Sequence, residues 1–250
     1  MIDLHAHILP GVDDGVGTIE EARDVARAAS AEGVTVIAAT PHVRSDYATA
    51  VEVMEAGVAD LRADLAREGL GVDVVHGGEI SFDWLNRLSD EELERFSFAQ
   101  NGRYLLVEPP YSGWPLGLGA QVAALRRRGL TAILAHPERN GAVRSSPDRL
   151  TPLVAAGALV QLTAGSLTGA AGRATREIAR LLIDRGLAHL IASDVHGPAT
   201  RPYEFAAGAA AIHDDALRRW LVEDVPAAIV AGVPPPNRPT RRRRFRLTAR

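Results

Sequence analysis

Ile2-Asp3-Leu4-His5-Ala6-His7 places two imidazoles, two positions apart, at the end of a short apolar run. Alternate side chains of an extended strand point to one side, so His5 and His7 can face a common ion. Six further runs give the pair its weight. Residues 34–39, 72–76, 104–107, 132–135, 159–162 and 189–192 all read as short strands, as does 2–5. Each of these runs but one is followed at once by a metal-competent side chain: His42, Glu79, Glu108, His136, and Asp194 with His196.

Amphipathic stretches at 19–31, 48–67, 118–128, 146–156 and 173–185 separate the strands and read as helices. Thr18 followed by Glu20 and Glu21 marks a helix start, and Gly33, Gly69, Gly129, Gly157 and Gly186 sit where C-cap glycines belong. Regular strand–helix alternation implies a parallel sheet, and seven units imply an α/β fold closing as a barrel. Such barrels carry their active sites at the carboxyl ends of the strands. Six of the seven strands deliver a candidate ligand there.

With Asp14, the donor set is His5, His7, Asp14, His42, Glu79, Glu108, His136, Asp194 and His196. Nitrogen and oxygen donors without sulfur suit manganese, iron or zinc, and nine donors are too many for one ion. The chain has no cysteine, which removes disulfides, thiolate sites and thiol nucleophiles. At 250 residues and 46% hydrophobic it can bury one sizeable core. All 28 basic residues are arginine, and seven follow residue 237; removing these from the formal −3 leaves the body at −10. A body so acidic is a poor binder of nucleic acid. Neither a signal peptide nor an apolar run of bilayer length is evident, so the expectation is a soluble, cytoplasmic protein.

Arg139 in His136-Pro-Glu-Arg-Asn and Arg201, five residues after His196, read as clamps for phosphate oxygens, with Arg44 a weaker third. Surface ion pairing is the plainer alternative for each. Glu138 reads as a helix-start acid or salt-bridge partner, and Asp13 as part of a turn. Tyr111 and Trp114 either wall a pocket for an aromatic leaving group or pack their loop. Thr163–Gly169 reads as a loop and helix cap whose amides could face an anion. His76 and His189 read as packed strand residues and His213 as a residue of a late helix.

Three divalent ions against four carboxylates and a bridging hydroxide leave the centre near +1, or about +3 with both arginines. That charge suits a phosphate monoester dianion. Clustered metals lower the pKa of bound water and stabilise the entering and leaving oxygens, so no protein nucleophile is needed. A tyrosyl leaving group, with a pKa near ~10, needs less protonation than an alkoxide.

Met1–Gly15, Ala-Thr-Pro-His42, Gly-Gly-Glu79-Ile, Ala-His136-Pro-Glu-Arg-Asn and Ala-Ser-Asp194-Val-His196 resemble the PHP (polymerase and histidinol phosphatase) superfamily. Within it they are most similar to manganese-dependent bacterial protein tyrosine phosphatases of capsule and exopolysaccharide systems, the CpsB/YwqE type. The resemblance runs to about residue 232. It implies a distorted (β/α)7 TIM-like barrel (PHP fold) and three divalent ions, manganese first, with iron and zinc as alternatives. His5, His7, Glu79 and Asp194 would hold one ion. Glu79 would bridge to a second, held with Glu108 and His136; Asp14, His42 and His196 would hold the third. Arg139 and Arg201 match phosphate-binding positions. The implied partner is the phosphotyrosine-bearing C-terminal segment of a bacterial tyrosine kinase.

Three rivals use similar residues: a small-molecule phosphomonoesterase such as histidinol-phosphate phosphatase, a non-catalytic metal-binding module, and a nuclease. The chain divides at 233 into a phosphatase domain and a Pro/Arg-rich tail, 234–250, expected to be disordered or extended. That tail is either an inert solvated segment or a dock for anionic lipid at the inner membrane face or for acidic segments of the kinase. Oligomeric state is not legible.

Overall fold

The computed structural model describes residues 1–197 and 199–240. Its strands are β1 (Ile2–Ala6), β2 (Val36–Ala39), β3 (His42–Val43), β4 (Asp73–His76), β5 (Glu79–Ser81), β6 (Tyr104–Glu108), β7 (Thr131–Leu134), β8 (Leu159–Thr163) and β9 (Leu190–Ala192). All pairings between them are parallel, in the orders β1-β2-β4 and β3-β5-β6-β7-β8-β9.

The nine segments are seven strands, two of them broken once. Between β2 and β3, Pro41 has no N–H for the ladder, and its carbonyl accepts from Glu79 N–H at 3.0 Å. Between β4 and β5 lie Gly77 and Gly78. A Cβ on Gly78 would stand 2.6 Å from Phe96, which is fully buried, so a side chain is excluded there. The ring closes where Ala6 pairs with Val195 just past β9. His7 N–H donates to Val195 O at 3.0 Å, and Asp194 N–H to His5 O at 2.8 Å. The barrel-like closure of a parallel sheet expected from the alternation is observed, in line with the distorted (β/α)7 barrel that the resemblance implies.

Helices cover the outside. Ile19–Ala31 starts with Thr18 accepting from Glu21 N–H, and buries Ala22, Val25, Ala26 and Ala29, one face at helical spacing. Val51–Arg67, Leu118–Arg127 and Arg173–Asp184 lie close to their expected bounds. The expected helix at 146–156 is instead a 3-10 turn, Pro147–Leu150, and a short helix, Thr151–Ala155. Pro152 lacks the N–H that a continuous helix would donate to Asp148, whereas Pro147 sits at the first helical position, where none is needed. His213 falls between Phe205–Ala210 and Asp215–Arg219 rather than on a helix. Among the described residues no helix is long and apolar enough to cross a membrane.

The packed body runs past the expected boundary at 233. Tyr104 OH donates to Val233 O at 2.7 Å, Trp220 Nε1–H to Pro236 O at 2.9 Å, and Arg238 to Ile183 O at 2.7 Å. Residues 234–240 are therefore held: a segment without regular structure is fixed here through the Pro236 carbonyl and the Arg238 guanidinium. The arginine run from Arg241 onward lies outside the described residues.

Candidate metal centre and phosphate clamp

The carboxyl ends of the strands bring all nine donors together. His5 Nε2 and His7 Nε2, projected from β1 and its continuation, lie 3.3 Å apart. Glu79 Oε2 stands 3.3 Å from both, and Asp194 Oδ1 stands 3.4 and 3.5 Å from them. Glu79 Oε1 is 2.9 Å from His136 Nε2. Asp14 Oδ1 is 3.3 Å from His42 Nε2 and 3.5 Å from His196 Nε2. Glu108 sits 4.0 Å from both His136 and His42. The donors form overlapping groups whose atoms lie within 4.8 Å of one another: His7, Asp14, His42 and His196; His5, Glu79 and His136; His5, His7 and Asp194; His42, Glu79 and Glu108.

Two of these residues are held in unusual backbone. His136 has φ 31° and Asp194 φ 55°, left-handed conformations that cost a residue with a side chain roughly 1–2 kcal/mol. Such strain at the ends of β7 and β9 turns both side chains into the barrel mouth.

The donor chemistry fits cations. His42 Nδ1 and Glu79 Oε2 are buried 3.0 Å apart without hydrogen-bond alignment, and Glu108 Oε1 is likewise buried without a partner. So many lone pairs facing one another in a buried mouth are stable only with positive charge between them. Burial, and then the Glu79 charge, push the Glu108 carboxyl up to about 8. Burial, and then His7, push His196 down to about 3. A bound cation would reverse both penalties.

Three supporting residues escaped the sequence reading. Asp13 Oδ1 accepts from Gly15 N–H at 3.0 Å, the turn role expected of it. Its Oδ2 also accepts from His7 Nδ1 at 2.7 Å and from His42 N–H at 2.9 Å. Burial raises the Asp13 carboxyl, but the His7 hydrogen bond and charge, with the His42 and Gly15 amides, together outweigh this and bring it to about 2. Gln161 Oε1, inside β8, lies 3.1 Å from His5 Nδ1 and accepts from His136 N–H at 3.2 Å. Asp3 accepts from Ser193 N–H at 2.9 Å and from Tyr203 OH at 3.0 Å. The available signal was a polar residue inside an otherwise apolar strand, as Asp3 and Gln161 both are.

Arg139 and Arg201 share one anchor. Arg139 donates to Asp194 Oδ2 at 2.6 Å; Arg201 donates to the same oxygen and to Asp194 O at 2.8 Å. Arg44 occupies another part of the rim, 3.6 Å from Glu108, 3.7 Å from Asp14 and 2.9 Å from Asp46, with Tyr47 beneath it at 5.3 Å. Beside the paired arginines opens a cavity of about 460 Å³, lined in part by Tyr111 and Ser193. The Tyr111 ring stacks on His136, centroids 5.7 Å apart and 7° from parallel, whereas Trp114 packs against the core.

Glu138 takes the helix-start place expected of it, in the first turn of the 3-10 helix Pro137–Arg139, but its carboxylate turns inward. It is fully buried, and its Oε1 accepts from Thr163 N–H at 2.9 Å and Ser166 OH at 2.7 Å. The Thr163 amide, considered for an outside anion, thus already faces an internal carboxylate. His189 is packed as expected, exchanging hydrogen bonds with the Val160 backbone.

A family model described as capsular polysaccharide synthesis, CpsB/CapC, matches residues 1–223. The CapC protein of Staphylococcus aureus is 36% identical over 206 residues, covering 81% of this chain and 80% of that protein. The tyrosine-protein phosphatase YwqE of Bacillus subtilis strain 168 is 33% identical over 205 residues, 81% of this chain and 80% of that protein. A crystal structure from work on YwqE of Bacillus subtilis and CpsB of Streptococcus pneumoniae, described there as metal-dependent tyrosine phosphatases, matches with a TM-score of 0.86. Its identity is 28%, over 97% of this chain and 100% of that one. The sequence match over nearly the whole barrel and the shared fold place this chain in the CpsB/CapC family of capsular polysaccharide synthesis proteins.

Proposed function

We propose that this protein is a metal-dependent protein tyrosine phosphatase acting on the phosphotyrosine-bearing C-terminal segment of a bacterial tyrosine kinase that governs capsule or exopolysaccharide synthesis. The observation that carries the reading is the shared anchor: Arg139 and Arg201 both reach Asp194, itself a member of the donor cluster. A phosphate on the two guanidiniums is therefore held at the edge of the candidate metal centre. Relatives named as tyrosine phosphatases support the substrate class.

In this reading His5, His7, Glu79 and Asp194 hold one divalent ion, Glu79, Glu108 and His136 a second, and Asp14, His42 and His196 a third. Manganese is the first choice, with iron or zinc as alternatives. Such ions, when bound, lower the pKa of water and neutralise charge on the entering and leaving oxygens. The chain's own part is to bind and orient. Each guanidinium carries five N–H donors in a fixed fork, so anchoring on Asp194 leaves donors for phosphate oxygens. Asp13 and Gln161 accept from the Nδ1 atoms of His7 and His5, which turns the Nε2 lone pairs toward the cluster. The reaction is set in the cytoplasm.

Metal analysis of the purified protein, followed by a substrate panel with added manganese, tests this. Phosphotyrosyl peptide should be hydrolysed and chelation should abolish turnover. Preference for histidinol phosphate would shift the protein to the small-molecule phosphatases. Full metal occupancy with no turnover would make it a binding module.

A further inference from the structure

The phosphate is assigned to Arg139 and Arg201, but the group that carries it also needs a seat. The cavity of about 460 Å³ starts at these arginines, and none of the nine donors lines it. Tyr111 contributes an aromatic wall, stacked on His136 and half exposed. Ala164, Gly165, Ala170 and Ala171 contribute a stretch of lining with almost no side chain.

Gly165 is the informative member. It lies within the short helix Ala164–Thr168, where glycine is unfavourable relative to alanine. Its backbone does not require glycine, because it is absent from the residues at positive φ. Packing does not require it either: an added Cβ would meet only Ala170 Cβ, at 3.7 Å, an ordinary contact. What the missing side chain leaves is room in the cavity.

Resting on the phosphatase reading, we propose that the aromatic ring of the substrate sits in this cavity, beside Tyr111 and over the 164–171 segment, and that Gly165 determines its admission. A cavity of roughly 150 Å³ accommodates benzene, so the volume takes a tyrosyl ring and leaves space for adjoining peptide. The alanine wall and the Tyr111 ring suit an aryl group by burial and offset stacking, while Ser193, Thr200 and Glu204 make the rest of the lining polar, as an adjoining peptide backbone would need.

The test uses the full-length, metal-loaded protein with Gly165→Ala, Gly165→Leu and, in an exposed turn, Ala171→Leu. Both leucine variants should raise KM for p-nitrophenyl phosphate and for a phosphotyrosyl peptide by roughly tenfold or more. Metal content and competitive inhibition by inorganic phosphate, which needs only the clamp, should stay at wild-type values, and Gly165→Ala should raise the same KM by a smaller factor than Gly165→Leu. An unchanged KM for p-nitrophenyl phosphate overturns the proposal, and so does a loss confined to the peptide or an equal loss of phosphate affinity. If Gly165→Leu does not fold, Ala171→Leu decides alone. Absence of aryl phosphate turnover in the wild type would instead sink the phosphatase reading itself.

Discussion

Asp13 Oδ2 lies 2.7 Å from His7 Nδ1 and 2.9 Å from the backbone nitrogen of His42, so one carboxylate orients the imidazole just past β1 and fixes the start of β3. Carboxylate–histidine pairs of this kind set the tautomer and ring orientation of metal ligands. Asp13→Ala should weaken metal binding about 10–100-fold with the fold intact. Titration against a chelating dye measures this, and unchanged affinity would return Asp13 to a turn residue.

Removing one cluster member should be more severe. His136→Ala and Asp194→Ala are expected to lose phosphatase activity along with metal content. Asp194→Asn separates charge from backbone, since asparagine tolerates the left-handed conformation at φ 55°. It should fold normally yet hold less metal; wild-type turnover in any of the three contradicts the assigned centre.

Arg139→Ala should keep its metal and lose phosphate. A charge-assisted fork is removed, so the inhibition constant for inorganic phosphate should rise about 10–100-fold, equivalent to roughly 1.4–2.7 kcal/mol. Unaltered kinetics would make the Arg139–Asp194 contact a structural ion pair only.

His189 links stability to acid. Burial, and then the Arg238 charge, depress its pKa from 6.5 to about 4. Above pH 6.5 the ring is neutral in folded and unfolded chains and contributes no pH dependence. Between 6.5 and about 4 the unfolded chain binds a proton that the folded one does not, so stability is lost as the pH is lowered, by an amount of order 3 kcal/mol at the lower end. His189→Gln should flatten that part of the dependence. Thermal unfolding at pH 5 and 7.5 compares them, and parallel losses in both proteins would assign the sensitivity elsewhere.

Truncation after Val233 removes the acceptor of Trp220 Nε1–H and the Arg238 contact to Ile183. Exposing that edge should cost about 1–3 kcal/mol, or a few degrees in Tm, with hydrolysis of p-nitrophenyl phosphate at 25 °C preserved. An unchanged Tm would show that residues 234–240 rest on the barrel without stabilising it.

Much of the barrel and the whole donor set were legible in the chain. Strand and helix periodicities are local, and a ligand one or two residues beyond an apolar run falls at the carboxyl rim whatever the details of packing. Breaks at Pro41 and at Gly77-Gly78 were readable as residues but not as consequences, because the second depends on Phe96 packing from another element.

Residue types and their places along the strands thus determined by themselves a parallel α/β sheet closing like a barrel, with its imidazoles and carboxylates at one rim. Only tertiary structure decided which groups orient them. His5 meets Gln161, Asp3 meets Tyr203, Glu138 meets Ser166, and Arg139 and Arg201 both meet Asp194, each from a different part of the ring. Side-chain periodicity acts over a few residues, whereas a hydrogen bond between chain segments as many as 200 residues apart exists only once the ring has closed and its register is set.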